Sequence, residues 1–151
     1  MIREIAQYDH DDLLDLNQGA LHAVGSLDHE SLSLLLKMSD QALVVDDGGD
    51  IAGFVVTLPQ DATYDSSRFR WFQDRYDDFV YLDRVIVSPD HRRQGVGSRL
   101  YDELPLDRPV GLEVYETNET SLAFHTDLGF EPVGELVHAG KTNVMMLRPA
   151  A

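Results

Sequence analysis

The chain contains no cysteine. That excludes disulfide bonds, a thiol nucleophile and any cysteine-ligated zinc site. Lysine is almost missing too: Lys37 and Lys141 are the two in 151 residues, beside ten arginines. Against 27 acidic side chains, 19 of them aspartate, these leave a formal net charge of −15. Such a chain repels a phosphate backbone, and outside Arg92, Arg93 and Arg99 no basic cluster is visible, so nucleic acid is not expected as a partner. The acids run through the whole chain, as in a solubility or high-salt adaptation, and the same field can draw cationic amines by long-range steering. No apolar run approaches the roughly 18–20 residues of a membrane span, and Met1-Ile2-Arg3-Glu4 leads into mixed polarity rather than a secretory signal. A soluble, cytoplasmic protein without membrane contact is expected. His10, His22, His29, His91 and His138 are scattered, and the run Asp9-His10-Asp11-Asp12 lacks a calcium-loop pattern, so no metal is expected.

What is present fits one domain over residues 1–151. Hydrophobic residues make up 43% of the chain, enough for a substantial core. Ile2 to Tyr8 reads as a strand. Asp11 or Asp12 can cap a helix striped by Leu13, Leu16, Ala20 and Val24, and Asp28 caps another through Leu32, Leu35 and Leu36. The period then shifts to two: Ala42 to Asp46 and Ile51 to Leu58 flank Asp47-Gly48-Gly49-Asp50, a hairpin signal. Further strands are expected at Phe79 to Val87, Val110 to Glu116, Phe130 to Val137 and Asn143 to Leu147, with helices after Val87 and after Glu116. The strand-helix alternation places the chain in the α/β class.

The segment Val85-Ile86-Val87-Ser88-Pro89-Asp90-His91-Arg92-Arg93-Gln94-Gly95-Val96-Gly97-Ser98-Arg99-Leu100 runs from a β-branched strand through a basic, glycine-rich turn into a helix. Val96, Leu100 and Leu104 share one helix face, which Pro105 ends. The first amides of that helix lack intrahelical partners and the peptide dipoles add positive potential, so phosphate oxygens can be bound there. Arg92 and Arg93 add charge-assisted donors. The dinucleotide fingerprint fails, because Leu100 stands where its third glycine belongs; the Walker loop fails, because Gly97-Ser98-Arg99 replaces Gly-Lys-Ser/Thr.

What fits is Arg/Gln-x-x-Gly-x-Gly/Ala, here Arg92-Arg93-Gln94-Gly95-Val96-Gly97, which resembles motif A of the GNAT superfamily of acetyl-CoA-dependent N-acetyltransferases. A second stretch, Asn118-Glu119-Thr120-Ser121-Leu122-Ala123-Phe124-His125-Thr126-Asp127-Leu128-Gly129-Phe130, resembles the superfamily's later motif, in which an asparagine opens a helix and Leu-Gly-Phe closes it. Local chemistry gives the same bounds: Thr117 or Asn118 caps, Phe124 and Leu128 share a face, and Gly129 suits a left-handed helix end.

The resemblance implies a mixed, twisted sheet of six to seven strands, splayed in the middle and flanked by about four helices, with acetyl-CoA as acetyl donor and CoA as product. It implies that backbone groups of Val85, Ile86 and Val87 pair with the pantetheine amides, that Arg92, Arg93, Gln94, Gly95, Val96, Gly97 and Ser98 hold the pyrophosphate, and that Asn118, Phe124 and His125 line the donor site; His91 is placed to touch CoA. The reaction implied is attack of a neutral primary amine, from a small molecule, amino acid, peptide or protein, in a ternary complex. Asp83, in phase with Val85 and Val87, is the first candidate for the base that deprotonates the amine, and Glu113 the second; the structural alternative for Asp83 is an ion pair with Arg84, Arg68, Arg70 or Arg75. His125 stands where the family usually carries a tyrosine that protonates the departing thiolate. A histidine, with its ordinary pKa of about 6.5, can act as that acid, can only hydrogen-bond CoA, or can have no acid role at all.

Gln60 to Asp78 gathers Tyr64, Phe69, Trp71, Phe72 and Tyr76 with Arg68, Arg70 and Arg75. It is expected either to wall the acceptor pocket or to form a short amphipathic helix through Phe69, Phe72 and Tyr76. The arginines suit an acceptor that carries a carboxylate. Exposed sheet edges make a homodimer possible. The second function class open to this sequence is a non-catalytic acyl-CoA-binding module of the same fold.

Overall fold

The computed structural model describes residues 1–151. Its elements are β1 (Ile2–Glu4), α1 (His10–Gln18), α2 (His29–Met38), β2 (Gln41–Asp47), β3 (Asp50–Pro59), α3 (Ser67–Gln73), β4 (Val80–Val87), α4 (Val96–Asp102), β5 (Val110–Tyr115), α5 (Glu119–Asp127), β6 (Glu131–His138) and β7 (Lys141–Arg148). The strands form one mixed sheet in the order β1-β2-β3-β4-β5-β7-β6. Val80↔Val110 and Tyr81↔Gly111 make β4 and β5 a parallel pair, whereas β1/β2, β2/β3, β5/β7 and β7/β6 are antiparallel. The expected α/β class is the observed one, with seven strands and five helices rather than about four. No helix is long and apolar enough to cross a membrane.

The chain divides into two compact units. The first comprises Met1–Leu58 and Leu82–Leu104. Here β1 stops at Glu4 instead of running to Tyr8, because Asp9 turns the chain back. Its carboxylate, 2% exposed as a residue, accepts from Arg3 Nη1 and Nη2 at 2.8 and 2.9 Å and from the Ala6 amide at 2.7 Å. The Arg3 guanidinium holds the Asp9 carboxyl below its usual range. Helix α1 follows Asp9 directly, not Asp11 or Asp12, and ends at Gln18, so Ala20 and Val24 fall outside it. It ends early because the buried Asn17 donates its amide to the Gly25 carbonyl at 3.0 Å, folding residues 19–25 back as turns. Asp28 caps α2 as expected: it accepts from the Ser31 amide, and its own amide donates to Ser31 Oγ, both at 2.8 Å. The Asp47-Gly48-Gly49-Asp50 hairpin is present, with φ of 62° and 101° at its glycines. Ile51 to Leu58 are all buried. Helix α4 lies so close to β3 that a Cβ on Gly53 would sit 2.9 Å from Val96 Cγ1 and 2.8 Å from the Ile86 carbonyl oxygen. Glycine is what permits that approach.

The second unit comprises Pro59–Tyr81 and Pro105–Ala151. The aromatic segment resolves as the amphipathic-helix alternative: Ser66 caps α3, Phe69 and Phe72 are fully buried and Trp71 nearly so. Phe69 stacks at a tilt on Tyr81 with centroids 5.2 Å apart, and Phe72 lies over the backbone of Gly111. Trp71 covers Gly134 on β6, with the Arg75 guanidinium 4.0 Å above its ring. Helix α5 is capped by Asn118, which accepts from the Ser121 amide at 3.1 Å. Its face does not follow the expected Phe124/Leu128 stripe. Phe124 is exposed and Leu128 half-buried, while His125 is the helix's buried residue. Gly129, with φ of 95°, makes the expected left-handed exit.

Candidate active site

In the first unit, burial alternates along the second half of β4: Leu82, Arg84 and Ile86 are buried, Val85 and Val87 are partly accessible, and Asp83 is partly accessible as a residue although its side chain is not. The three residues read from sequence as one face share a face. Past Val87, the Ser88 amide donates to the Ala52 carbonyl at 2.8 Å and Ser88 Oγ accepts from the Asp90 amide, so the chain leaves the strand in a 3-10 turn. Two residues then take left-handed conformations, Arg93 with φ of 65° and Gly95 with φ of 74°. The first is unusual for a side-chain-bearing residue and turns the loop outward. Arg92, Arg93, Gln94, Gly95 and Ser98 are exposed, while Val96 and Leu100 anchor α4 from beneath.

No side chain caps α4, and a Cβ placed on Gly95 would meet nothing within 4 Å. The loop therefore offers uncapped amides, two outward arginines and an unobstructed outer face, which fits a bound pyrophosphate. Gly97 differs: a Cβ there would touch Val87 Cγ2 at 3.7 Å, an ordinary contact, so its role is close packing on β4 rather than opening the loop. His91 turns from the loop to Asp47, with Nε2 3.3 Å from Oδ2. Asp12, Asp15, Asp50 and Asp90 line a cavity of about 510 Å³ together with it. That cavity is too acidic to suit a phosphate group.

Asp83 has the ion-pair surroundings that the sequence left as its alternative. Arg84 Nε donates to Asp83 Oδ2 at 2.7 Å, and both side chains are 5% exposed. The same guanidinium donates through Nη1 to Asn17 Oδ1 at 2.6 Å and to the Gly25 carbonyl at 3.1 Å. Asp83 thus belongs to a network that ties β4 to the turn after α1. Asn17 was not legible as a member, since a lone asparagine in an acidic helix carries no pattern.

In the second unit, Glu113 on β5 receives the Tyr81 hydroxyl, which lies 2.8 and 2.7 Å from its two oxygens. Arg68 Nε on α3 is 3.9 Å from Glu113 Oε1. Tyr81 sits two residues before Asp83 on the same strand, and only the i, i+2 spacing on a strand could have brought it to notice. On α5, His125 Nδ1 lies 2.7 Å from the Ser121 carbonyl oxygen and 3.2 Å from Ser121 Oγ. Because a carbonyl can only accept, Nδ1 carries the proton of the neutral ring. Burial pushes the imidazole pKa below its usual value, more than the bond to Ser121 raises it. At neutral pH His125 is therefore uncharged, and Nε2 has a lone pair rather than a proton to offer.

A family model described as the acetyltransferase (GNAT) family matches residues 10–130. Among curated proteins no match is found by sequence. Among solved structures the fold is similar to that of Ard1 from Thermoplasma volcanium, with a TM-score of 0.79 and 22% identity over 100% of this chain and 97% of that one. It is also similar to the ribosomal-protein-S18-alanine N-acetyltransferase of Escherichia coli, with a TM-score of 0.72 and 18% identity over 100% and 94%. A third likeness is YncA from Salmonella typhimurium, solved with its cofactor acetyl-CoA, with a TM-score of 0.74 and 20% identity over 100% and 94%.

Proposed function

The chain belongs to the acetyltransferase (GNAT) family, and we propose that it carries an acetyl group from acetyl-CoA to a primary amine of a peptide or protein by direct attack in a ternary complex. Bound acetyl-CoA supplies an activated acetyl thioester. The observation that carries the donor side is the exposed Arg92–Gly97 turn, with its left-handed Arg93 and Gly95 and its uncapped helix start. There Arg92 and Arg93 bind the pyrophosphate by charge-assisted hydrogen bonds, in a molecule whose net charge of −15 would otherwise repel it. The backbone of Val85 to Val87, half-accessible at both ends, pairs with the pantetheine arm. Support for a peptide or protein acceptor comes from the S18-alanine N-acetyltransferase, whose name states a protein substrate. A small-molecule amine is an outcome of the test.

The amine must lose a proton before it can attack. Of the two carboxylates, Glu113 suits that task better than Asp83. Protonating Asp83 would strip the buried Arg84 of a counter-ion in direct contact at 2.7 Å, whereas Glu113 has its arginine, Arg68, at 3.9 Å and keeps the Tyr81 contact when protonated. His125, neutral with its Nδ1 proton committed to Ser121, is suited to accept a hydrogen bond and not to act as the acid.

The experiment is thiol release from acetyl-CoA by the purified protein with three amine panels: peptides with free N-termini, N-blocked lysine peptides, and small amines. Turnover on the first two is expected. Arg92→Ala and Arg93→Ala should each raise the acetyl-CoA KM by about tenfold, the loss of roughly 1.4 kcal/mol per exposed charge-assisted contact. Acetyl-CoA binding without turnover on any amine would replace the enzyme with the acyl-CoA-binding module.

A further inference from the structure

The charged group of α3 has donor capacity that the fold leaves unused. Arg68 Nε is shut off from solvent with no hydrogen-bond partner, and its ion-pair neighbour, Glu113 Oε1, lies 3.9 Å away, beyond hydrogen-bond reach. The side chain as a whole is 23% exposed, so part of it meets solvent although Nε does not. Buried N–H groups without partners are rare in folded proteins, and a fixed guanidinium fork matches a carboxylate bidentately. Its position is rigid: Phe69, Trp71 and Phe72 of the same helix are buried, and Ser66 caps its start. Glu113 is itself held by the Tyr81 hydroxyl. Tyr81 and Gly111 are partners in the parallel β4/β5 pair, and Glu113 lies two residues beyond Gly111 toward the carboxyl end of β5, where open α/β sheets bind their ligands.

From this geometry we propose that Arg68 is a specificity-determining residue, reading a carboxylate carried by the amine acceptor while Glu113 receives the amine. The carboxylate is the α-carboxylate of a free amino acid or the acidic side chain of a residue next to a peptide N-terminus. The inference rests on the acetyltransferase reading above for its amine, but not for its carboxylate contact.

The test is equilibrium binding to the CoA-loaded protein of two matched pairs, each compared in the wild type, Arg68→Gln and Arg68→Lys. One pair is a tripeptide with Asp or Asn at its second position. The other is free alanine against alaninamide. The acid member of at least one pair should bind about tenfold tighter or better to the wild type, a gap that collapses in Arg68→Gln and is partly kept in Arg68→Lys. Preference within the peptide pair alone identifies an acidic side chain as the source, and preference within the alanine pair an α-carboxylate. Equal binding of acid and amide in both pairs, or an equal loss of both members in Arg68→Gln, overturns the proposal. Turnover of the same compounds separates the two readings: a carboxylate preference in binding with no amine acetylated sinks the acetyltransferase reading alone.

Discussion

The sharpest stability prediction concerns Asp83 and Arg84, because it also decides which carboxylate does chemistry. Both side chains are 5% exposed and joined at 2.7 Å. Removing one partner of such a buried pair leaves an uncompensated charge and costs about 3–5 kcal/mol. For a chain of this length that is a fall in Tm of roughly 6–20 °C, at about 2–4 °C per kcal/mol. Asp83→Leu should therefore unfold well below the wild type in a thermal or urea titration. Arg84→Met should lose more, since it also deletes the donations to Asn17 and Gly25, each worth about 1 kcal/mol. In the double variant no charge is stranded, and an apolar pair of similar volume commonly matches or exceeds a buried ion pair. We expect it to recover about 2 kcal/mol or more relative to the sum of the single losses, read as the coupling term of the cycle. A single loss below about 1 kcal/mol, or strict additivity, would refute the argument. The same proteins test catalysis. Asp83→Asn, assayed below its melting transition, should keep kcat within a few-fold, while Glu113→Gln should lose the ~10²–10⁴-fold that a general base contributes. The reverse pattern returns the base to Asp83.

Two further expectations come from the second unit. The His125 pKa lies below its ordinary value, so as pH falls below about 6.5 the unfolded chain takes up a proton that the folded chain refuses; stability falls with pH there and is unaffected by this group above it. His125→Gln should flatten that acid limb of Tm against pH and reduce acetyl transfer at pH 7.5 by less than tenfold, and a larger loss with intact folding would restore an acid role. Gly134→Ala and Gly111→Ala would drive a methyl into the Trp71 and Phe72 rings. Each should cost about 1–3 kcal/mol in urea unfolding, and both should weaken acceptor binding more than acetyl-CoA binding because α3 moves.

The local elements around the Arg92–Gly97 turn were legible because their signals are contiguous. Val85 to Leu100 carries its own strand, turn and helix signals, and Gly129 adopts the left-handed conformation expected of it; Gly95 does so as well, where the sequence suggested only open space for a ligand. The hairpin at Asp47 to Asp50 and the caps at Asp28 and Asn118 are contiguous signals of the same kind. What could not be read is contact between distant residues. Arg3 with Asp9 and Asp46, which shortens β1, and Asn17 with Gly25, which ends α1 early, depend on how the chain returns, not on periodicity. Arg68, one of the arginines the sequence offers to Asp83, instead neighbours Glu113, because α3 packs through Phe72 onto Gly111. The burial of His125 rather than Phe124 on α5 is a further case: a helix with one buried polar residue has no apolar stripe to reveal its inner face.

The last strand in the order, β6, bears on how this sheet avoids growing. It is largely exposed, with Val133 and Val137 on its surface, a profile that in a flat strand would invite another chain to add on. Its register slips between Pro132 and Gly134, Pro132 has no amide hydrogen to give, Glu131 and Glu135 bring charge, and Trp71 is laid across the glycine. Each of these spoils a template for edge-to-edge pairing. The aromatic helix α3, through Trp71, thus shields this edge from pairing, and a variant that straightens β6 would trade colloidal stability for a longer ladder.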